Sequence, residues 1–135
     1  MKRVLNSNMD LKMRAVAEGD IDNIINACIE EGWVTFNLRK EHFIQAMKKS
    51  TLIVAYDGEI FAGFARAMSD EHVTTFICEL LVVKEYRNKG IGRMLVEYIW
   101  NMFPHTRIDL ISESDGFYER MEFRKLGTGF RKHNW

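Results

Sequence analysis

The feature that most constrains the fold is an apolar run followed by a glycine-containing turn and an amphipathic helix. Residues 73–83 are rich in β-branched and apolar side chains, which predicts a mostly buried strand. Charged residues interrupt this run, and the turn Arg87-Asn88-Lys89-Gly90-Ile91-Gly92 follows. Apolar residues then recur at spacings of three and four, which predicts a helix over 90–103. Pro104 ends the pattern, because the residue before a proline disfavours helical dihedrals.

This turn has the properties of an anion site. The first amides of a helix have no partner within the helix and point outward at its positive end. Gly90 and Gly92 let the backbone bend sharply and let an anion approach without meeting a Cβ. Arg87, Lys89 and Arg93 oppose the helix dipole, an arrangement that a bound anion would explain. The alternative is a solvated turn that binds nothing.

Two known phosphate-binding patterns do not fit the turn. A Walker-type loop needs Lys and then Ser or Thr after its second glycine, but Gly92 is followed by Arg93 and Met94. A dinucleotide fingerprint needs a third glycine where this chain has Leu95, and a parallel sheet from the first strand onward. What remains is Arg-x-x-Gly-x-Gly between a strand and a helix.

The other elements predict an α+β fold with a mixed, mostly antiparallel sheet flanked by helices. The clearest hairpin has two strand-like runs joined by Asp57-Gly58. Asp20 is the expected N-cap of the first helix, and Gly32 its expected end. Besides residues 73–83, strands are predicted over 11–16, 51–56, 59–68, 106–111 and 123–130. Besides residues 90–103, helices are predicted over 21–29, 39–49 and 116–121. The order is β-α-α-β-β-β-α-β-α-β, with hairpins first and a strand–helix–strand unit last. We expect residues 1–135 to form a single domain, with 1–10 a loose extension.

Charge and cysteine content narrow the function class. Nineteen Lys and Arg balance nineteen Asp and Glu, so no overall field favours nucleic acid or an anionic membrane. Cys28 and Cys78 both lie in apolar runs, which predicts buried free thiols in a reducing compartment. With no signal-peptide pattern and no membrane-length apolar stretch, the expected location is the cytoplasm. The four histidines have no metal-ligand spacing, so we expect no metal site.

Two motifs resemble the GCN5-related N-acetyltransferase (GNAT) family. Leu80-Leu81-Val82 leading into residues 86–92 resembles the family's acetyl-CoA motif, and residues 116–123 resemble its C-terminal signature. The element order is also similar, so the resemblance covers nearly the whole chain. It implies that the pyrophosphate of coenzyme A is held by the amides of Asn88, Lys89, Gly90, Ile91, Gly92 and Arg93, with Arg87 and Lys89 assisting. It also implies that the backbone of Leu80, Leu81 and Val82 pairs with the pantetheine arm, as an added strand pairs with a sheet edge. An amide near Val82 would polarise the thioester carbonyl.

The resemblance also implies catalytic and acceptor-binding roles. Acetyl transfer requires the amine to lose a proton and the leaving thiolate to gain one. Tyr118 matches the family's proton donor, and the alternative is a core aromatic. Glu79 is the candidate base, because an unpaired carboxylate in an apolar strand is costly unless it faces a wet cleft; the alternative is an edge charge in solvent. Trp33 and Phe36 match the region that lines the acceptor pocket, with a hydrophobic lid as the alternative.

The chain departs from the family signature at two positions. Glu122 stands where glycine is usual, and the asparagine often found before the short helix is absent, so Ser112 or Ser114 would have to serve. Both differences concern the thiol end of the cofactor site.

The sequence therefore predicts an acetyl-CoA-dependent N-acetyltransferase that acts by direct transfer in a ternary complex. The predicted acceptor is a small amine or a peptide, and neither nucleic acid nor membrane is an expected partner. The alternative is a non-catalytic CoA-binding module that acts as a sensor or interaction partner. A homodimer through the last strand or the exposed aromatics, including Trp135, is a further hypothesis.

Overall fold

The structure is a computed structural model that describes residues 8–135, and residues 1–7 of the expected extension lie outside the described residues. Asp10, at the end of that segment, is bonded to the first hairpin. Its amide donates to Asp57 Oδ1 at 2.8 Å, and its carbonyl accepts from the Gly58 amide at 2.9 Å. The chain therefore enters the first strand at a defined position beside the hairpin turn.

A five-stranded mixed sheet forms the centre of the molecule. Its strands lie in chain order, β1 (Leu11–Ala15), β2 (Thr51–Asp57), β3 (Ile60–Ser69), β4 (Thr74–Val82) and β5 (Arg107–Leu110). The first three pairings are antiparallel, and β4 pairs with β5 in parallel. β2 and β3 are covered on both faces, which explains why they read as nearly continuous apolar runs. The predicted α+β class with a mixed, mostly antiparallel sheet is confirmed.

Helices cover both faces of this sheet. They are α1 (Ile21–Glu30), α2 (Val34–Leu38), α3 (Lys40–Lys48), α4 (Ile91–Met102) and α5 (Asp115–Glu119). Alternate residues of a strand point to opposite faces, so Ala65 belongs to the core beneath α4 and Phe64 to the core beneath α1 and α3. We call these sides of the sheet the α4 face and the α1 face. Among the helices of residues 8–135, none has both the length and the apolar composition needed to cross a bilayer.

The region around α1 differs from the predictions in two details. The predicted connector after Gly32 contains the one-turn helix α2, whose Phe36 packs on Phe43 with 4.2 Å between ring centroids. Asp20 occupies the N-cap position of α1 but does not cap the helix. Its carboxylate instead accepts hydrogen bonds from Arg14, from the Tyr56 hydroxyl and from the Ala17 amide. Burial raises the pKa of Asp20, but these hydrogen bonds outweigh it and hold the pKa at about 2.

The predicted last strand over 123–130 is wrong. Among the described residues no strand follows α5, and no backbone hydrogen bond joins residues 124–135 to the sheet. Leu126 and Phe130 are 68% and 91% exposed, so the segment has no buried face to offset the entropic cost of ordering two glycines. Gly129 lies beyond the end of β5 against Ile111, where an added Cβ would be 3.0 Å from Cδ1.

Candidate active site

β4 parts from β5 halfway along its length. β5 pairs only with residues 74–77 of β4, whereas β3 follows β4 as far as Val82. The register with β3 shifts at the same place, because Ala67 faces Ile77 while Arg66 faces Glu79. Cys78, which is half-buried and free, is therefore the extra residue of a β-bulge. The bulge leaves residues 79–82 with an edge that pairs with no strand of the described chain.

The backbone of this open edge pairs with no described strand on the side that β5 has left, and Arg87 Nε donates to its Val82 carbonyl at 2.9 Å. The Val83 amide donates to the Ala62 carbonyl on β3. Because the C=O and N–H of one trans peptide point in opposite directions, the Val82 carbonyl faces the open edge. The side chains of Leu80 and Val82 lie on the α4 face and that of Leu81 on the α1 face. The three residues predicted to hold pantetheine thus form an open sheet edge.

The predicted anion turn lies directly after this edge. A short 3-10 turn, Lys84–Tyr86, leads into it, and Gly90 is the N-cap of α4. Asn88 and Gly90 have left-handed φ values of 63° and 86°, and this tight winding is what the glycine was expected to permit. None of the amides from 88 to 93 donates a hydrogen bond to another described residue. No atom lies within 4 Å of a Cβ added at Gly90, so the mouth of α4 is open.

Gly92 allows α5 to approach the first turn of α4. A Cβ added there would lie 3.2 Å from Phe117 Cζ and 3.6 Å from Val82 Cγ2. The close contact places Tyr118, the next residue of α5, on the same face as Leu80.

Tyr118 is half-buried and has an unpaired hydroxyl. Its ring packs edge-on against Phe117 at 4.9 Å and Phe123 at 5.6 Å. The hydroxyl makes no hydrogen bond to another described residue, whereas the Tyr56 and Tyr86 hydroxyls each donate to an aspartate at 2.6 Å. Burial raises the pKa of the Tyr118 phenol, so the group stays protonated at neutral pH. A protonated, unpartnered phenol is suited to donating a proton.

Glu79 lies on the other face and is paired with Arg66. Two hydrogen bonds, Nε to Oε1 at 2.5 Å and Nη2 to Oε2 at 2.8 Å, join the cross-strand pair. The side chains are only 13% and 12% exposed, which excludes the alternative of an edge charge in solvent. The third nitrogen of Arg66 donates to Ser50 Oγ at 2.9 Å. This bidentate geometry is the one in which a buried ion pair is tolerated.

The predicted acceptor-site aromatics lie on the same face as Glu79. Trp33 and Phe36 are half-buried against the core beneath α1, with 5.9 Å between their ring centroids. Just before them, Glu31 forms an ion pair with Arg87 of the turn. Sequence reasoning missed both Arg66 and the pairing of Glu31. An arginine inside an apolar strand was a signal for the first, but nothing in the sequence indicated the second.

The two departures from the family signature have simple structural consequences. Glu122 has a φ of 70°, a left-handed conformation that glycine adopts without strain. The Ser112 hydroxyl accepts a hydrogen bond from the Ser114 amide at 2.9 Å and so orders the loop before α5.

The described residues contain no group of three or more His, Cys, Asp or Glu side chains that could hold a metal ion.

A sheet edge at residues 80–82 and a glycine turn at a helix mouth are the two backbone features that the sequence resemblance implied for an acetyltransferase. The model of the acetyltransferase (GNAT) domain matches residues 48–125, more than half of the chain. The chain therefore belongs to the GNAT family of acetyltransferases, a family that generally uses acetyl-CoA as co-substrate.

Individual relatives agree with this assignment. The uncharacterized N-acetyltransferase ycf52 of Pyropia yezoensis is 25% identical over 118 residues, covering 80% of this chain and 67% of the relative. A GNAT-family acetyltransferase of Streptococcus pneumoniae superposes with a TM-score of 0.77 at 24% identity, covering 93% of this chain and 98% of that one. Glucosamine-6-phosphate N-acetyltransferase from Arabidopsis thaliana superposes with a TM-score of 0.69 at 18% identity, over 92% and 98% of the two chains. At these identities the solved structures show a shared fold.

Proposed function

We propose that this protein transfers the acetyl group of acetyl-CoA to a primary amine of a small molecule or peptide, by direct attack in a ternary complex. The observation that carries the proposal is the continuity of three features. The unpaired edge of β4 leads into the free amides at the mouth of α4, and the unpartnered Tyr118 phenol lies on the α4 face beside them.

The cofactor-binding residues are those of the edge and the turn. The amides from Asn88 to Arg93 would hold the pyrophosphate, and the helix dipole would add to their attraction. Arg87 and Lys89 supply cationic charge beside them. The backbone of residues 80–82 pairs with the amides of pantetheine, which requires only main-chain groups and explains the plain aliphatic side chains there.

The two candidate catalytic groups approach the edge from opposite faces. When bound, acetyl-CoA would supply the acetyl group as a thioester: the amine adds to the carbonyl carbon to form the C–N bond, and the C–S bond then breaks to release the thiolate. An amide near Val82 stabilises the oxyanion, and Tyr118 donates its proton to the leaving thiolate. Glu79 receives the proton of the amine, directly or through a water molecule, at a carboxylate lone pair that the two hydrogen bonds from Arg66 leave free. The acceptor therefore enters from the α1 face, past Trp33 and Phe36.

The test is thiol release from acetyl-CoA across a panel of primary amines. Tyr118→Phe should lower kcat by about 10²- to 10⁴-fold, the usual contribution of a positioned acid or base. Its melting temperature should barely change, because the hydroxyl has no described partner. Tyr98→Phe is the matched control, since Tyr98 lies on α4, is 37% exposed and is not part of the site.

Three results would contradict the proposal in different ways. Equal turnover by the parent and Tyr118→Phe would mean that the Tyr118 hydroxyl takes no part in the reaction. CoA binding without turnover on any amine would favour the non-catalytic binding module. A parent protein that shows no thermal shift with millimolar CoA would mean that the turn binds no cofactor.

A further inference from the structure

Arg87 is bonded to two parts of the protein that lie on either side of the site. Its Nε donates to the Val82 carbonyl at 2.9 Å, the group that faces the open edge of β4. Its Nη2 forms the ion pair with Glu31, at the C-terminal end of α1. Arg87 therefore connects the predicted cofactor edge to the residue that begins the α1–α2 connector.

We propose that Glu31 and the diphosphate of CoA compete for Arg87, so that cofactor binding opens the Arg87–Glu31 ion pair and releases the Glu31 carboxylate beside the α1–α2 connector. This inference rests on the proposed function, because it takes the free amides of the turn as the diphosphate site. Arg87 is adjacent in the chain to Asn88, the first of those amides, so a diphosphate bound there lies within reach of its guanidinium. A phosphate pairs with an arginine through two parallel hydrogen bonds. Glu31 engages Arg87 through one oxygen only.

The ion pair is weak enough for a ligand to displace it. Arg87 and Glu31 are 42% and 34% exposed, so solvent screens their attraction. Exposed pairs of this kind change an equilibrium constant by about 1.4- to 5-fold. The diphosphate offers Arg87 a more highly charged partner next to free amides, and the competition therefore favours the cofactor.

Opening this pair has a consequence on the acceptor side. Glu31 becomes an unpaired carboxylate two residues from Trp33, where it can bind an ammonium group of an incoming acceptor. CoA then raises the affinity of the protein for an acceptor that binds Glu31. Thermodynamic linkage requires that the acceptor raises the affinity for CoA by the same factor.

The test is calorimetric titration with CoA of the parent, Glu31→Gln and Glu30→Gln. The two variants lose one negative charge at adjacent positions, but Glu30 has no ion pair among the described residues. Glu30→Gln therefore reports the general effect of removing a charge near an anionic ligand. Glu31→Gln should raise the association constant by about 1.4- to 5-fold beyond that control. Equal affinities of the two variants would overturn the proposal.

A double-mutant cycle identifies Arg87 as the intermediary. In an Arg87→Met background, Glu31→Gln should have no more effect than Glu30→Gln. A Glu31→Gln effect that persists without Arg87 would also overturn the competition. These failures differ from failure of the proposed function, in which the parent itself would show no binding of millimolar CoA.

Discussion

Replacing Gly90 with alanine tests whether the mouth of α4 binds an anion. Gly90 has a φ of 86°, and no atom lies within 4 Å of an added Cβ. The methyl group therefore meets no protein atom, and its effect on the folded protein is limited to backbone strain. Gly90 is, however, the N-cap of α4 and one of residues 88–93, whose amides donate to no other described residue and are proposed to hold the diphosphate.

The expected loss of stability is small and the expected loss of affinity is large. A left-handed conformation costs an L-residue about 1–2 kcal/mol, while alanine restricts the unfolded chain and recovers about 0.4–1 kcal/mol. A net loss near ~1 kcal/mol lowers the melting temperature by about 2–4 °C. A hydrogen bond to a charged group contributes about 1.5–3 kcal/mol. Loss of even one amide–phosphate contact therefore weakens CoA binding by more than ~10-fold.

Gly58→Ala is the matched control for this experiment. Gly58 lies in the β2–β3 turn, has a φ of 59° and also has no atom within 4 Å of an added Cβ. Both variants should show a similar drop in melting temperature, but only Gly90→Ala should lose affinity for CoA by calorimetry. If Gly90→Ala binds CoA as tightly as Gly58→Ala does, the assignment of the turn as the diphosphate site is wrong.

Three further substitutions test the energetics of the fold. The pKa of Asp20 is lowered from 3.8 to about 2, so its contribution to the free energy of unfolding is present above pH 4 and is lost as the pH falls from 4 to 2. In urea titrations, Asp20→Asn should remove about 2 kcal/mol of this dependence of stability on pH. An unchanged pH dependence would refute the carboxylate network. Glu122→Gly should raise the free energy of unfolding by about 0.5–1 kcal/mol, because glycine adopts the φ of 70° without backbone strain. A loss of stability would show that Glu122 is not strained. Arg66→Met should lower the free energy of unfolding by about 3–5 kcal/mol, because Glu79, which is 12% exposed, loses its partner. The double variant with Glu79→Leu should recover most of this loss in the same assay. A single variant as stable as the parent would contradict the buried pair.

The sequence alone determined the features that depend on neighbouring residues. The left-handed glycines at 32, 58 and 90 mark the end of α1, the hairpin turn and the mouth of α4, where local backbone rules placed them. The buried strand, the amphipathic α4 and the phosphate-type turn between them follow from apolar periodicity and from the missing partners of helix amides. The resemblance of the two motifs to one family followed from the same short stretches.

Only the tertiary structure decided what depends on residues far apart in the chain. The bulge at Cys78, which parts β4 from β5, arises from the register of two strand pairings that no local pattern encodes. The partnership of Glu79 with Arg66 depends on that register, and Glu31 meets Arg87 across 56 positions of sequence. Residues 123–130 have strand-forming side chains, but no surface covers Leu126 or Phe130, so the strand does not form. Local patterns specify backbone conformation, whereas pairing, burial and the fate of each charge depend on which distant surfaces the fold brings together.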